Sequence, residues 1–331
     1  MKILVDIVHP ADINFYKNAI NTLQKKSHIV TISVMKRGNL PEKVVNEYPE
    51  LEVIVIGEHK KDFFGKLLNI FRREFLFFKL FKQRKFDVVT SFGFYPGMTS
   101  WIFGIKSVHF HDDKEYKLNY FLTKTFCSKF VSLCEKSSGN TLGVNSYKEL
   151  AYLHPSYIKE DKKILSKLGL VGKRYVYIRD VSNISLNYKE KEKDFEAISK
   201  ELIKKKYSVV FDSEKEQKIK GTISLNSPLT SKEMISLKKN ASLIITSGDT
   251  VLREGALLGV PTIYTSKRKM KINANLLENG LFVRAETTEN ILLNAKMLDH
   301  PGVRQTLKEK ARNEIKKCSD INKIIIKVLE R

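Results

Sequence analysis

A chain of 331 residues with 42% hydrophobic and 10% aromatic content can build packed cores, which excludes a disordered or fibrous protein and suits two domains of moderate size. Against 37 acidic residues stand 59 basic ones, and the net charge of +22 favours anionic partners: phosphorylated ligands, an anionic membrane surface or nucleic acid. Cys127, Cys134 and Cys318 are odd in number and lack C-x-x-C spacing, so neither a disulfide framework nor a zinc site is expected.

Asp6, His9 and Asp12 interrupt the first apolar run, and no uninterrupted apolar segment approaches the ~20 residues that span a bilayer. The expectation is a cytoplasmic protein.

Lys2 to Val8 is a β-rich run, followed by a polar loop and a helical pattern through Phe15, Ala19, Ile20 and Leu23. The loop has no Gly-x-Gly-x-x-Gly, so a dinucleotide fingerprint is absent. His9, Asp12 and Asn14 fall at the carboxyl end of the first strand, where α/β sheets bind ligands. A solvated or helix-end role for His9 is the alternative. Further strands are expected at 29–35, 51–56, 86–91, 107–110 and 130–133, with helical segments between most of them, which argues a parallel sheet with helices on both faces.

Residues 62–86 form a basic, aromatic amphipathic helix. Phe64, Leu68, Phe71, Phe75 and Phe78 make a stripe, with Arg72, Arg73, Lys79 and Lys82 among its polar complement. Two readings stand: a helix burying one face on the sheet, or a helix dipping into an anionic membrane surface.

Gly93 follows the fourth strand. The run Val108 to Glu115, VHFHDDKE, then holds the densest acid/base cluster in the chain. His111 with Asp112 and Asp113 suits proton removal from an acceptor hydroxyl, and helix capping by either Asp is the alternative. No spacing supports a metal site.

The pattern weakens from Glu149 to Gly172, which places the boundary between an N-terminal domain at 1–160 and a second at 172–310, with a C-terminal helix in 311–331 expected to cross back over the cleft between them. The second half repeats the alternation. A strand at 174–179 ends in Arg179, a helix spans about 190–204, a strand 207–212 and a helix 231–240.

The most informative stretch is SLIITSGDTVLREGALLGVPTIYT, Ser242 to Thr265. A buried strand ends at Ser247-Gly248-Asp249-Thr250, a helix follows, Gly259 stops it, and a second strand begins beyond Pro261. The backbone N–H groups that open such a helix can hold an anion. Glu254, a turn further on, can accept hydrogen bonds from two vicinal hydroxyls, although the helix dipole alone also favours an acid there.

In this layout, from KILVDIVHP to SGDTVLREGALLGVP, the chain resembles the GT-B superfamily, α/β proteins with two Rossmann-like domains facing a central cleft. It is similar to MurG-type glycosyltransferases and UDP-N-acetylglucosamine 2-epimerases, and to an uncharacterised prokaryotic family related to both. The resemblance implies a C-terminal donor domain in which Ser247, Gly248, Asp249 and Thr250 hold the diphosphate of a nucleotide-sugar, with UDP the expected nucleotide, and Glu254 grips its ribose.

Asn273, beside Ala274, matches the Asn-Ala step of the MurG-type donor site. The Gln pair that precedes this step in that family is replaced by Lys269, Met270 and Lys271, so the sugar is not transferred from the resemblance. Epimerases of this fold carry an Asp after the Gly of the fourth strand. Here Phe94 follows Gly93, which disfavours epimerase activity.

The resulting expectation is a glycosyltransferase acting on a glycan or lipid-linked acceptor in cell-surface polysaccharide synthesis, peripheral on the inner face of the cell membrane. His9, Asp12, His111, Asp112 and Asp113 are its candidate catalytic residues, and Asn14 and Gly93 lie beside them. No metal or cofactor is needed if helix-end amides with Arg179 or Lys269 neutralise the leaving diphosphate. A nucleotide-sugar epimerase is the alternative enzyme, and a basic nucleic-acid-binding protein is the disfavoured alternative of another class.

Overall fold

The structure is a computed structural model, and it describes residues 1–59, 63–181, 194–214, 217–225, 229–300 and 302–331. In chain order the first elements are β1 (Lys2–Ile7), α1 (Pro10–Lys25), β2 (Ile29–Lys36), α2 (Leu40–Glu47), β3 (Glu52–Glu58), α3 (Phe63–Gln83), β4 (Val88–Ser91), α4 (Gly97–Ile102), β5 (Lys106–His111), α5 (Lys117–Thr125), β6 (Lys129–Ser132) and β7 (Thr141–Gly143). There follow α6 (Leu150–Leu153), α7 (Lys163–Lys167), β8 (Tyr175–Asp180), α8 (Phe195–Lys204), β9 (Ser208–Ser213), β10 (Ile223–Ser224), α9 (Ser231–Asn240), β11 (Leu243–Thr246), α10 (Asp249–Leu257) and β12 (Thr262–Tyr264). The last are α11 (Lys271–Glu278), β13 (Val283–Arg284), α12 (Thr288–Leu298), α13 (Val303–Lys316) and α14 (Ile321–Glu330).

The chain divides into two compact units, one of residues 1–152 with 318–331 and one of residues 153–317. Both are α/β units with an all-parallel sheet. In the first the strand order is β3-β2-β1-β4-β5-β6-β7, and in the second β10-β9-β8-β11-β12-β13. Each order reverses direction once, at β1/β4 and at β8/β11. Neighbouring loops part there and leave a crevice at the carboxyl ends of the strands.

The strands are buried on both faces, as parallel sheets require, so they read as continuous apolar runs: Ile3, Leu4, Val5 and Ile7 in β1, and Val176, Tyr177 and Ile178 in β8. Several helix starts carry side-chain caps. Thr230 and Glu233 form a capping box on α9, and Asp194, Thr287 and Asp320 cap α8, α12 and α14. The helix expected from residue 190 begins at Phe195, and residues 190–193 lie outside the described residues.

Helix α3 departs from its simple amphipathic reading. Arg73, expected in the solvated face, is fully buried. Its Nη1 and Nη2 donate to Asp6 Oδ2 and Oδ1 of β1 at 2.9 and 2.6 Å, its Nε donates to the Ile56 carbonyl at 2.8 Å, and its guanidinium lies 4.4 Å from the Tyr95 ring. Phe77, Leu80 and Phe81 share that inner face. The sheet-facing reading therefore holds for one side of α3, while Leu68, Phe71 and Phe75 point outward. Residue 62, where the expected segment began, lies outside the described residues.

The C-terminal part also divides. Helix α13 belongs to the second unit, and α14 returns to the first, packed along α1 through a buried edge of Ile321, Ile325, Val328 and Leu329.

Candidate functional site

In the second unit the β8/β11 reversal brings Ser247 and Gly248 beside the end of β8. Ser247 N donates to the Arg179 carbonyl at 3.2 Å, and Ser247 Oγ accepts from Val181 N at 2.9 Å. A Cβ on Gly248 would lie 2.7 Å from Val181 Cγ2, so a larger residue here would have to displace the Val181 side chain. Gly248 is also the N-cap of α10 and, having no side chain, supplies no side-chain cap. Such an end attracts an anion.

Asp249 opens α10 and is buried. Tyr264 Oη donates to its Oδ1 at 2.6 Å, Asn273 Nδ2 donates to Oδ1 at 3.2 Å, and Arg268 Nη1 donates to Oδ2 at 2.6 Å. Arg253 Nη1 donates in turn to Asn273 Oδ1 at 3.2 Å. The carboxylate that would repel an anion at this helix end is thus paired with a guanidinium. Thr250, the next residue, is half-buried on the first turn.

Glu254 is only 3% exposed, and its Oε2 takes the ammonium of Lys238 from α9 in a buried ion pair. Lys238 fixes the carboxylate one turn below the helix opening.

Arg179, expected to face an anion, is held by acids of its own sheet edge. Its Nη1 donates to Asp212 Oδ1 at 2.5 Å and its Nη2 to Glu214 Oε1 at 2.9 Å. Lys269 is exposed, and the cation of that loop that meets the start of α10 is its neighbour Arg268. Arg268, Tyr264 and Lys238 were not singled out from sequence. Arg268 stands one residue from a candidate, but nothing local marks Lys238, which lies 16 residues from Glu254.

In the first unit the β1/β4 reversal gathers the other candidates. His9 is the N-cap of α1, its Nδ1 accepting from Ala11 N at 3.2 Å, with Pro10 at the start of the helix. Asp12 completes a capping box, its Oδ2 accepting from His9 N at 2.8 Å and Val8 N at 3.2 Å. Burial pushes the Asp12 carboxyl up to about 7, against the pull of the Lys148 charge and these two amides. Asn14 is half-buried one turn along.

Gly93, with φ 147°, turns the chain after β4, and its carbonyl accepts from His109 Nδ1 at 2.5 Å. His109 is wholly buried and burial pushes it down to about 4, which keeps it neutral with the proton on Nδ1. Phe94, where epimerases of this fold carry an acid, lies 3.9 Å from the Tyr95 ring centre to centre.

His111 is lowered by burial against the raising effect of Asp112, Asp113 and Glu135, and its Nδ1 accepts from Asp113 N at 3.2 Å. Asp112 Oδ2 is 3.5 Å from Lys148 Nζ. Lys148 was not foreseen. It sits over the Phe92 ring at 5.1 Å, and its charge acts on both Asp12 and His111. Neither Asp112 nor Asp113 caps α5, whose N-cap is Tyr116. Among the described residues no group of His, Cys, Asp and Glu could hold a metal ion.

Two Rossmann-like units, each with its polar residues at the strand-order reversal, have the GT-B fold, and solved structures of that fold match 95% or more of the chain. It is similar to a UDP-GlcNAc 2-epimerase from Neisseria meningitidis bound to UDP-GlcNAc, with 15% identity, a TM-score of 0.77 and all of both chains covered. It is similar to the UDP-GlcNAc 2-epimerase of Methanocaldococcus jannaschii in complex with UDP-GlcNAc and UDP, with 15% identity, a TM-score of 0.67, and 95% of this chain and 99% of that one covered. It is similar too to a Streptomyces sp. SF2575 glycosyltransferase complexed with thymidine diphosphate, with 14% identity, a TM-score of 0.66 and 99% of each chain covered. The chain belongs to the family described as "Protein of unknown function (DUF354)", whose sequence model matches residues 1–330. No curated protein matches it in sequence.

Proposed function

We propose that this protein is a nucleotide-sugar-dependent glycosyltransferase that moves a sugar from a UDP-linked donor to a hydroxyl of a glycan or lipid-linked acceptor in cell-surface polysaccharide synthesis. The observation that carries the reading is the glycine-opened start of α10 at the β8/β11 reversal, where Ser247 and Gly248 close on the end of β8 and Arg268 balances Asp249. Amides at that helix end receive the donor diphosphate, and Glu254, held by Lys238, receives the ribose hydroxyls.

Attack of an acceptor hydroxyl on the anomeric carbon breaks the bond to the diphosphate and releases one proton. Asp12, whose carboxyl titrates at about 7, takes that proton at neutral pH. His9, Lys148 and the His111-Asp112 pair shape the surroundings of the incoming hydroxyl. The diphosphate leaves with its charge met by helix-end amides and Arg268.

Calorimetric titration with UDP tests the donor site. Binding is expected, weakened about tenfold or more by Glu254→Gln, which loses a charged hydrogen bond to the ribose. No heat with UDP, or equal affinity in the variant, would overturn the assignment.

The likeness to epimerase folds motivates a second measurement, incubation with UDP-GlcNAc alone. The transferase reading expects a stable sugar, since Phe94 stands where an acid would serve epimerisation. Conversion to the 2-epimer without an acceptor would replace that reading.

A further inference from the structure

We propose that the outer face of α3 and α4, extended by α5, is a docking surface for an anionic lipid bilayer. Helix α3 is fixed to the sheet by the buried Arg73–Asp6 pair and the packing of Phe77 and Phe81, so it has no second face to give to the core. Its opposite side nevertheless carries Leu68, Phe71 and Phe75, each more than half exposed.

Helix α4 packs beside α3, joined to it by the 5.1 Å contact between the Phe78 and Phe103 rings, and presents Trp101 at 70% and Ile102 at 61% exposure. Trp101 lies 6.3 Å from the ring of Phe126 at the end of α5, and α5 adds Phe121, also mostly exposed. Large apolar side chains grouped in this way are costly to leave in water and mark an interaction surface.

The charges around the patch select its occupant. Arg72, Lys79 and Lys82 of α3 flank it, with Lys79 Nζ 4.8 Å from the Phe75 ring and Lys82 Nζ 4.8 Å from the Phe78 ring. Lys117 and Lys124 stand on α5. The one acid in the sequences of the three helices, Glu74, is turned inward, its Oε2 accepting from Thr99 N and Oγ1 at 2.9 and 2.6 Å. An apolar, aromatic centre with a cationic rim fits the acyl boundary and headgroups of an anionic membrane leaflet.

A second copy of the chain would set the same cations against each other, in a protein already at +22. A nucleic acid would meet the rim and leave the apolar centre wet. Among the described residues no helix is long and apolar enough to cross a membrane, so the attachment is along the surface. The proposal does not depend on the nucleotide reading, and the two fail separately, because vesicle binding is measured without nucleotide.

Trp101 is the only tryptophan of the chain, so tryptophan emission, excited selectively over that of the tyrosines, reports on this patch alone. The purified protein is mixed with vesicles of phosphatidylcholine, with or without phosphatidylglycerol, and followed by flotation and emission. Flotation only with phosphatidylglycerol vesicles is expected, with a blue shift of Trp101 and its shielding from acrylamide.

Phe71→Ser with Phe75→Ser, both surface changes, lowers the partition about tenfold or more. Lys79→Ala lowers it about fivefold. Failure to float with anionic vesicles overturns the proposal. So does flotation that leaves Trp101 emission and quenching unchanged, equal binding by the double Phe variant, or retention on duplex RNA in place of vesicles.

Discussion

Asp12 holds a carboxyl group out of water at the edge of the first sheet, and its titration sets the sign of a pH effect. Its value moves from the ordinary 3.8 to about 7 on folding, so between those limits the folded chain binds a proton that the unfolded chain has lost. The stability this group contributes is full below pH 3.8, falls as the pH rises towards 7 and is level above. The swing is about 4 kcal/mol. Asp12→Asn keeps an acceptor for the Val8 and His9 amides, and its urea-unfolding stability is expected to lack that decline when compared with the parent across the window. In activity, the same variant should lower the turnover number about 100-fold or more, and the parent rate should rise with pH through about 7 as the base ionises. In the second unit, Lys238→Met leaves Glu254 buried without its cation and should cost about 3–5 kcal/mol in denaturant unfolding, most of it recovered when Glu254→Gln is added.

Helix α10 is held between two close approaches, and they can be tested apart from the chemistry. A Cβ on Gly255 would lie 2.3 Å from Thr262 Oγ1 of β12, and one on Gly259 would lie 2.6 Å from the Lys308 Cα of α13. Gly259 has φ 64°, and Gly169 has φ 63° with nothing within 4 Å of its Cβ position. Alanine at either position meets the same backbone strain, so the excess loss of thermal stability in Gly259→Ala over Gly169→Ala measures the α10–α13 contact. An excess of about 1–3 kcal/mol is expected.

The start and stop of α10 are legible in sequence because glycine, proline and an apolar run announce them locally. The residues that complete its surroundings are not. Arg268, Tyr264 and Lys238 reach Asp249 and Glu254 only after strands and helices far apart in sequence have packed. The same holds for α3, whose sequence supports both a core face and a lipid-facing one. The Arg73–Asp6 pair, 67 residues apart, shows which side is which. Short elements such as the two-residue β10 carry too little pattern to be read.

At the scale of the whole molecule, two units with separate sheets should respond separately to a ligand. Saturation with UDP at about 100 times its dissociation constant stabilises the binding unit by about 2.7 kcal/mol. In hydrogen exchange the added protection is expected around the start of α10 and in β8, β11 and β12, with β1 to β7 little changed. Protection centred on the first unit would contradict the placement of the donor.

Helix α14 carries a consequence for the order in which the protein is made. Its apolar edge belongs against α1, yet it is translated after all of residues 153–317. A chain that ends at residue 317 therefore holds every element of the second unit while the first lacks the helix that covers this side of α1. The part of the chain that is made first is the last to be completed, and a purified chain truncated after residue 317 should display a folded second unit and a protease-sensitive first one.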